Sequence, residues 1–169
     1  VGGVGRTFRG ILLTAAVLIL LGATVLFYFG FTDIANIQER IWAAIFHSIS
    51  AYNNAGFGLW SESLQNYQNN GVVNVVIIVL ILLGGLGWRV TSDLWANRKN
   101  LTFRRLSLHT RLVIRTSLFL VCLGTFGLLL TEFIEQGSFF VSIDWHERFL
   151  IAFFESISAR TAGFTNMPM

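Results

Sequence analysis

The sequence has little charge, one proline and one cysteine. Charged side chains are 12% of its 169 residues, about half of the roughly 25% usual in a soluble domain. Hydrophobic residues make up 54% and the mean hydropathy is +0.64, so an ordinary soluble globular domain is excluded. The one cysteine, Cys122, cannot form an internal disulfide, which excludes a disulfide scaffold. It lies in an apolar run and reads as a small packing residue. The one proline, Pro168, stands at the far end. With no proline inside the apolar runs, those runs are expected to be continuous helices.

Three runs reach the roughly 20 apolar residues that a bilayer crossing needs. They are Gly10–Thr32, about Gly71–Trp88, and about Leu112–Thr131 with Arg115 near one end. Arg6 and Arg9 precede the first run, as in a secretory signal. The run is too long for one, and no small-residue cleavage site follows it. The expected class is an all-α membrane protein. Starting at Val1 rather than Met, the chain reads as a piece of a longer protein.

Charge sets the orientation. Arg6, Arg9, Arg89, Arg98, Lys99, Arg104, Arg105, Arg111 and Arg115 fall on one side of the expected topology, opposed there only by Asp93. The other connections hold Arg40, Arg148 and Arg160 against eight acids. The positive-inside rule puts the N-terminus and the 89–111 connection in the cytoplasm, with the remaining loops entering from the outer face; the expected location is the plasma (inner) membrane. The net charge of +3 is then a topology signal, with anionic lipid headgroups as company and no nucleic acid. Asn100-Leu101-Thr102 fits a glycosylation acceptor but falls on the cytoplasmic side, where it is a chance match. Trp42, Trp60, Trp88, Trp95 and Trp145 all fall near expected interfaces.

What the sequence does have is a repeat. Phe46–Phe57 reads FHSISAYNNAGF and Phe154–Phe164 reads FESISARTAGF. Each follows a spanning run and is expected as a half-length helix, Ile41–Tyr52 or Phe149–Ala159, breaking into an Ala-Gly-Phe turn. At about 17 Å such helices cross only part of the hydrocarbon. Non-helical backbone at that depth persists only when buried in protein or facing water. A second signature, Gly84-Gly85-Leu86-Gly87 before Arg89, echoes Gly2-Gly3-Val4-Gly5 before Arg6. The expected organisation is therefore the end of a preceding unit and a link over 1–9, and a complete helix–loop–helix unit over 10–88. A basic cytoplasmic connection over 89–105 and the first helix and loop of another unit over 106–169 follow. Units of this kind pack around an axis, because one alone cannot bury its inner face.

The loops suit an ion path. A cation filter replaces the hydration shell with backbone carbonyls, and successive carbonyls share a direction most easily where glycine leaves strand geometry. Gly56 and Gly163 supply that freedom, and the helix C-termini before them favour a cation. Phe57 and Phe164 are expected to pack outward as a cuff. His47 and Glu155 occupy equivalent places and are expected to hydrogen-bond behind the loops rather than act as ligands. Arg160 would repel cations if bare, so an acidic partner is expected. Ser48, Ser50, Ser156 and Ser158, without a matching His and Asp set, read as helix-packing hydroxyls. No enzymatic chemistry is expected.

FHSISAYNNAGFGLW and FFESISARTAGFTNM closely resemble the second and third pore loops of the Trk/Ktr/HKT potassium-transporter superfamily, and most of all a Ktr or Trk membrane subunit. That resemblance implies four non-identical helix–pore-loop–helix units in pseudo-fourfold arrangement, of which this chain carries the middle. It implies filter strands formed by Asn53, Asn54, Ala55, Gly56 and Phe57 and by Arg160, Thr161, Ala162, Gly163 and Phe164. K+ would be held by the backbone carbonyls of Asn54, Ala55, Gly56, Thr161, Ala162 and Gly163. It further implies a homodimer of the intact subunit, a cytoplasmic nucleotide-binding regulatory ring facing the basic connection, and sodium as a candidate coupling ion. No covalent cofactor is implied. A homotetrameric two-helix channel subunit and a non-transport membrane scaffold or permease component stay open as alternatives, although NNAGF beside RTAGF speaks against identical loops.

Overall fold

A computed structural model describes residues 2–98, 102–134 and 143–167. Residues 99–101 of the basic connection, which carry most of the Asn100-Leu101-Thr102 triplet, lie outside them. All regular elements among the described residues are helical. They are α1 (Gly2–Val25), α2 (Ile37–Tyr52), α3 (Gly71–Ala96), α4 (Leu108–Ile134) and α5 (Trp145–Thr161). Three stretches are long and apolar enough to cross a membrane, Thr7–Gly30, Gly71–Ala96 and Leu108–Thr131. Large apolar side chains such as Leu12, Leu20, Leu118, Phe119 and Phe126 stand exposed on α1 and α4. Lipid tails, as apolar as these side chains, can cover them at little cost.

The short helices are longer than the repeat alone suggests. Asn36 caps α2, its Oδ1 accepting from Gln38 N at 3.0 Å while its Nδ2 donates to Glu39 Oε1 at 3.2 Å. That N-cap starts the helix four residues ahead of Ile41. α5 likewise starts at Trp145, directly after Asp144. The two run 16 and 17 residues, roughly 24–26 Å at 1.5 Å per residue, still short of a full crossing.

Regular α-helical geometry is interrupted twice without proline. α1 passes into a π-turn over Leu26–Gly30, and the amide of Asn70 donates to the terminal Gly30 carbonyl at 2.8 Å. In α3, Gly87 adopts φ 79° and ψ 158°, a conformation open to glycine alone. The helix resumes at Trp88, whose ring packs over Gly10 of α1. α1 is helical from Gly2 onward, through the stretch expected as a link over 1–9. α3 runs on to Ala96, through part of the expected 89–105 connection. The turn into α4 is held by Asp93, which accepts from Ser107 N at 2.9 Å.

α1, α2 and α3 pack on one another, α5 packs along α4, and α3 also touches α4 and α5. The core follows that arrangement: Leu26, Phe31, Ile77, Ile81, Phe154, Ile157 and Phe164 are all buried in one cluster. Each short helix approaches its long neighbour over a glycine. A Cβ on Gly22 would lie 2.8 Å from Ser48 Oγ and 2.7 Å from Leu80 Cδ1, and one on Gly124 would collide with Ser156 Oγ. Nothing lies within 4 Å of a Cβ at Gly127. Gly22→Leu and Gly124→Leu in the full-length protein should therefore each cost about 1–3 kcal/mol through overpacking. Gly127→Leu, inside α4 with open space at its Cβ, should not lower the thermal midpoint in detergent. Equal midpoints for all three variants would contradict this packing.

Candidate functional site

The repeat extends upstream of the Phe-x-Ser-Ile-Ser segment. Glu39-Arg40 and Glu147-Arg148 stand at matching positions, 108 residues apart like the serines that follow. Arg40 donates to the Ile34 carbonyl from Nε at 2.9 Å and from Nη2 at 2.6 Å. Arg148 donates from Nε to the Ile143 carbonyl at 2.8 Å. In both copies an arginine in the second turn thus holds the chain entering the short helix. Such charge-assisted bonds are the stronger kind.

The serine pair has a fixed division of labour. The first hydroxyl reaches outward: Ser48 donates to the Ile19 carbonyl of α1 at 2.6 Å, and Ser156 to the Val121 carbonyl of α4 at 2.8 Å. The second reaches forward: Ser50 donates to the Phe57 carbonyl at 2.8 Å, and Ser158 to the Phe164 carbonyl at 2.6 Å. The helix-packing role expected of the four serines is what Ser48 and Ser156 have. The second pair instead closes each Ala-Gly-Phe loop back onto the helix before it.

The loops close differently. After α2, Ala55 N donates to Ser50 O at 2.9 Å and Asn54 N to Ala51 O at 3.1 Å, the paired bonds of a Schellman closure. Its left-handed residue is Asn54, at φ 53°, a place where asparagine is among the best-tolerated side chains. Gly56 follows at φ 72°. After α5, Ala162 N and Gly163 N both donate to Ser158 O, at 2.8 and 3.0 Å. There Gly163, at φ 87°, is the one left-handed residue. The first loop's extra residue thus accompanies an added left-handed step.

The two loops lie against each other. Thr161 Oγ1 donates to Asn54 Oδ1 at 2.7 Å, and a Cβ on Gly56 would strike the Ala162 carbonyl. Beyond the loops, Leu64 N donates to Thr165 O at 3.0 Å and Thr165 N to Ser63 Oγ at 3.3 Å. An open cleft of about 500 Å³ borders both glycines, with Trp60, Glu62, Ser63 and Gln65 on its rim. Among the described residues no three His, Cys, Asp or Glu converge as a metal site. A cation at the loops would meet carbonyl, amide and hydroxyl oxygens.

Other expected residues divide. Asn53 turns its amide back to the Ile49 carbonyl at 2.9 Å. Arg160 lies against Gly85 of α3, beside the Asn54 amide, while Glu155, the acid nearest to it in sequence, accepts from Thr165 Oγ1 and Asn166 N at 2.7 and 2.9 Å. Phe164 is 1% exposed and in the core, whereas Phe57 is 70% exposed, so only one of the pair packs as a cuff here. His47 is buried, stacked on Trp60 at 4.6 Å, with Nδ1 near the Ala43 carbonyl at 2.8 Å.

A family model described as "cation transport protein", TrkH, matches residues 6–169. This chain belongs to the TrkH family. It is 38% identical over 136 residues to the Ktr system potassium uptake protein B of Vibrio alginolyticus, covering 78% of this chain and 29% of that protein. It is 33% identical over 130 residues to its namesake in Bacillus subtilis, covering 77% and 28%. The potassium/sodium uptake protein NtpJ of Enterococcus hirae is 33% identical over 126 residues, covering 75% and 27%. The chain spans under a third of the length of these curated relatives. It corresponds to part of a Trk/Ktr-type membrane subunit.

The arginines were missed as site residues because their charge was counted only toward orientation. The pattern E-R-x-x-x-A-x-F-x-S-I-S-A, present in both halves of this TrkH-family chain, was the available signal. Arg40→Gln and Arg148→Gln should each lower the thermal midpoint of the full-length protein by the equivalent of about 1.5–3 kcal/mol, the worth of a charged hydrogen bond. Arg→Lys should restore only part of it, since an ammonium lacks the planar fork. Full restoration by lysine would count against the fork geometry.

Proposed function

We propose that this chain contributes two adjacent walls of a potassium-conducting pore, with the loops at 53–57 and 160–164 as strands of a degenerate selectivity filter. The observation that carries this reading is the edge-to-edge meeting of the loops. Thr161 is bonded to Asn54 and Gly56 abuts the Ala162 carbonyl, while the serine scaffold behind each loop is the same. Loops held alike, side by side and rich in carbonyl oxygen are what a cation needs in place of water.

The names of the relatives agree with it: two are potassium uptake proteins and one a potassium/sodium uptake protein. Potassium is the cargo in this reading and sodium a candidate coupling ion. The carbonyls of Asn54, Ala55, Gly56, Thr161, Ala162 and Gly163 are the proposed ligands. Those of Phe57 and Phe164 are already engaged by Ser50 and Ser158 and serve instead to anchor the strands. No bond of a substrate is made or broken, so the activity is transport and not enzymatic.

The wider assembly follows the same reading. The intact subunit sits in the plasma membrane as a homodimer, with the N-terminus and the basic 89–111 connection cytoplasmic. A regulatory ring, in keeping with the word "system" in the names of the Ktr relatives, docks on that face. A homotetramer of two-helix subunits fits less well, because the two loops differ in length and in the residues at 47 and 155.

Gly56→Ser and Gly163→Ser in the full-length protein are expected to reduce discrimination of rubidium against sodium by roughly tenfold or more, about 1.4 kcal/mol. Gly56→Ser should be the more severe, since its Cβ meets backbone of the other loop. Radioactive rubidium uptake competed by sodium measures it, and unchanged competition in both variants sinks the filter assignment.

A further inference from the structure

Glu155 is an acid half-buried in a short helix whose neighbours are apolar. An ionisable side chain in that setting usually has a functional reason. The loop contacts described so far leave it outside the proposed ion ligands. Its Oε1 accepts from Thr165 Oγ1 at 2.7 Å and Asn166 N at 2.9 Å. The same threonine hydroxyl is within 3.2 Å of Met167 O and Met167 N. One carboxylate oxygen therefore gathers the chain immediately after Phe164, which Ser158 holds by its carbonyl.

The contacts continue into the other half. Asn166 is buried, and its Nδ2 donates to Asn74 Oδ1 at 3.1 Å. Asn74, also buried, donates from Nδ2 to Gln68 O at 2.7 Å and Tyr67 O at 3.3 Å. Thr165 meets Ser63 and Leu64 through its own N and O. A line of polar contacts thus runs from Glu155 on α5, through 165–166, to the first turn of α3 and the outer loop before it. This line joins the segment after one loop to the unit that carries the other.

The matching position of the first copy is built differently. His47 stacks on Trp60, and its buried Nε2 has no hydrogen-bond partner. The nearest counterpart of Thr165 there is Gly58, which has no hydroxyl; a Cβ on it would lie 3.8 Å from that nitrogen. The first loop's exit is held by aromatic packing and the second's by an acceptor.

We propose that Glu155 is a positioning residue for cation selectivity: by accepting from Thr165 and Asn166 it fixes the exit of the second loop against the first unit, and so sets how the two loops lie beside each other along the ion path. This rests on the filter reading given above. The role belongs to the acceptor oxygen rather than to the charge, and a glutamine that keeps an acceptor at the same place should fill it.

The test uses the full-length protein in a cell lacking its own potassium uptake, with rubidium uptake competed by sodium and protein amount checked in the membrane. Glu155→Ala should lose roughly 5- to 30-fold in rubidium-over-sodium discrimination, the factor that about 1–2 kcal/mol corresponds to, the net worth of one to two hydrogen bonds. Glu155→Gln should recover most of it. Thr165→Val, which removes one donor and keeps the shape, should give a smaller loss and covers the case in which Glu155→Ala fails to reach the membrane. Unchanged discrimination in Glu155→Ala, or in Thr165→Val where the alanine variant is absent, overturns the proposal. So does glutamine behaving like alanine, which would assign the effect to charge. If Gly163→Ser alters discrimination and the Glu155 variants do not, this inference alone fails. If neither does, the filter reading has failed first.

Discussion

The arrangement depends on backbone polar groups that need partners where the short helices end. A helix leaves its last carbonyls unbonded, and in an apolar setting each unpaired group is costly. α2 and α5 stop after 16 and 17 residues, and the chain then runs on as non-helical loop among packed helices. The carbonyl of Ser50 takes the amide of Ala55, and that of Ser158 takes the amides of Ala162 and Gly163. The hydroxyls of the same two serines take the carbonyls of Phe57 and Phe164. One residue per copy thus closes the loop at both ends. It leaves the carbonyls between them free of that duty, which is the condition a carbonyl-lined ion path would require.

Common anchoring does not make the copies alike. The distance from Ser50 to Phe57 is one residue longer than from Ser158 to Phe164, and the surplus is taken up by a left-handed Asn54 ahead of Gly56. Asn54 then offers its side-chain oxygen to Thr161. The residue that lengthens one loop is thereby the one that binds the other. A fully symmetric pair would lack this lateral bond, so the asymmetry contributes to cohesion and not only to divergence.

Much of this was legible in the sequence, because it is local. Span positions follow from apolar run length, and the loop glycines from a twice-written motif; both are where the residues suggested. Ser48 and Ser156 pack helices as read, whereas Ser50 and Ser158 tie down the loops instead; the outward bonds depend on α1 and α4, 29 and 35 residues away, which no periodicity reveals. The early start of α2 lay in cap chemistry at Asn36, and that of α5 directly after Asp144; neither shows in the apolar pattern. The absence of proline does not keep the spans regular, because glycine interrupts one: Gly87 breaks α3 at a φ of 79° that suits no side chain. The uneven fate of Phe57 and Phe164 depends on which side a neighbouring element lies, and a repeat treats both sides alike.

The division into units also changes meaning in three dimensions. By sequence α3 closes the first unit, yet its residues serve the second as much. A Cβ on Gly84 would strike the Tyr52 carbonyl at the end of α2, while Gly85 lies beside Arg160 at the end of α5 and beside Asn54. Near its start Asn74 holds Asn166, and α3 also touches α4. Two adjacent glycines let two helix ends approach one stretch of backbone, which any larger side chain there would keep apart. The Gly-Gly pair is therefore better understood as the contact line between units than as the end of one. A helix–loop–helix segment cut at Arg89 would expose the surface on which the next loop is seated, and that loop would lose the wall that Asn74 and Gly85 provide.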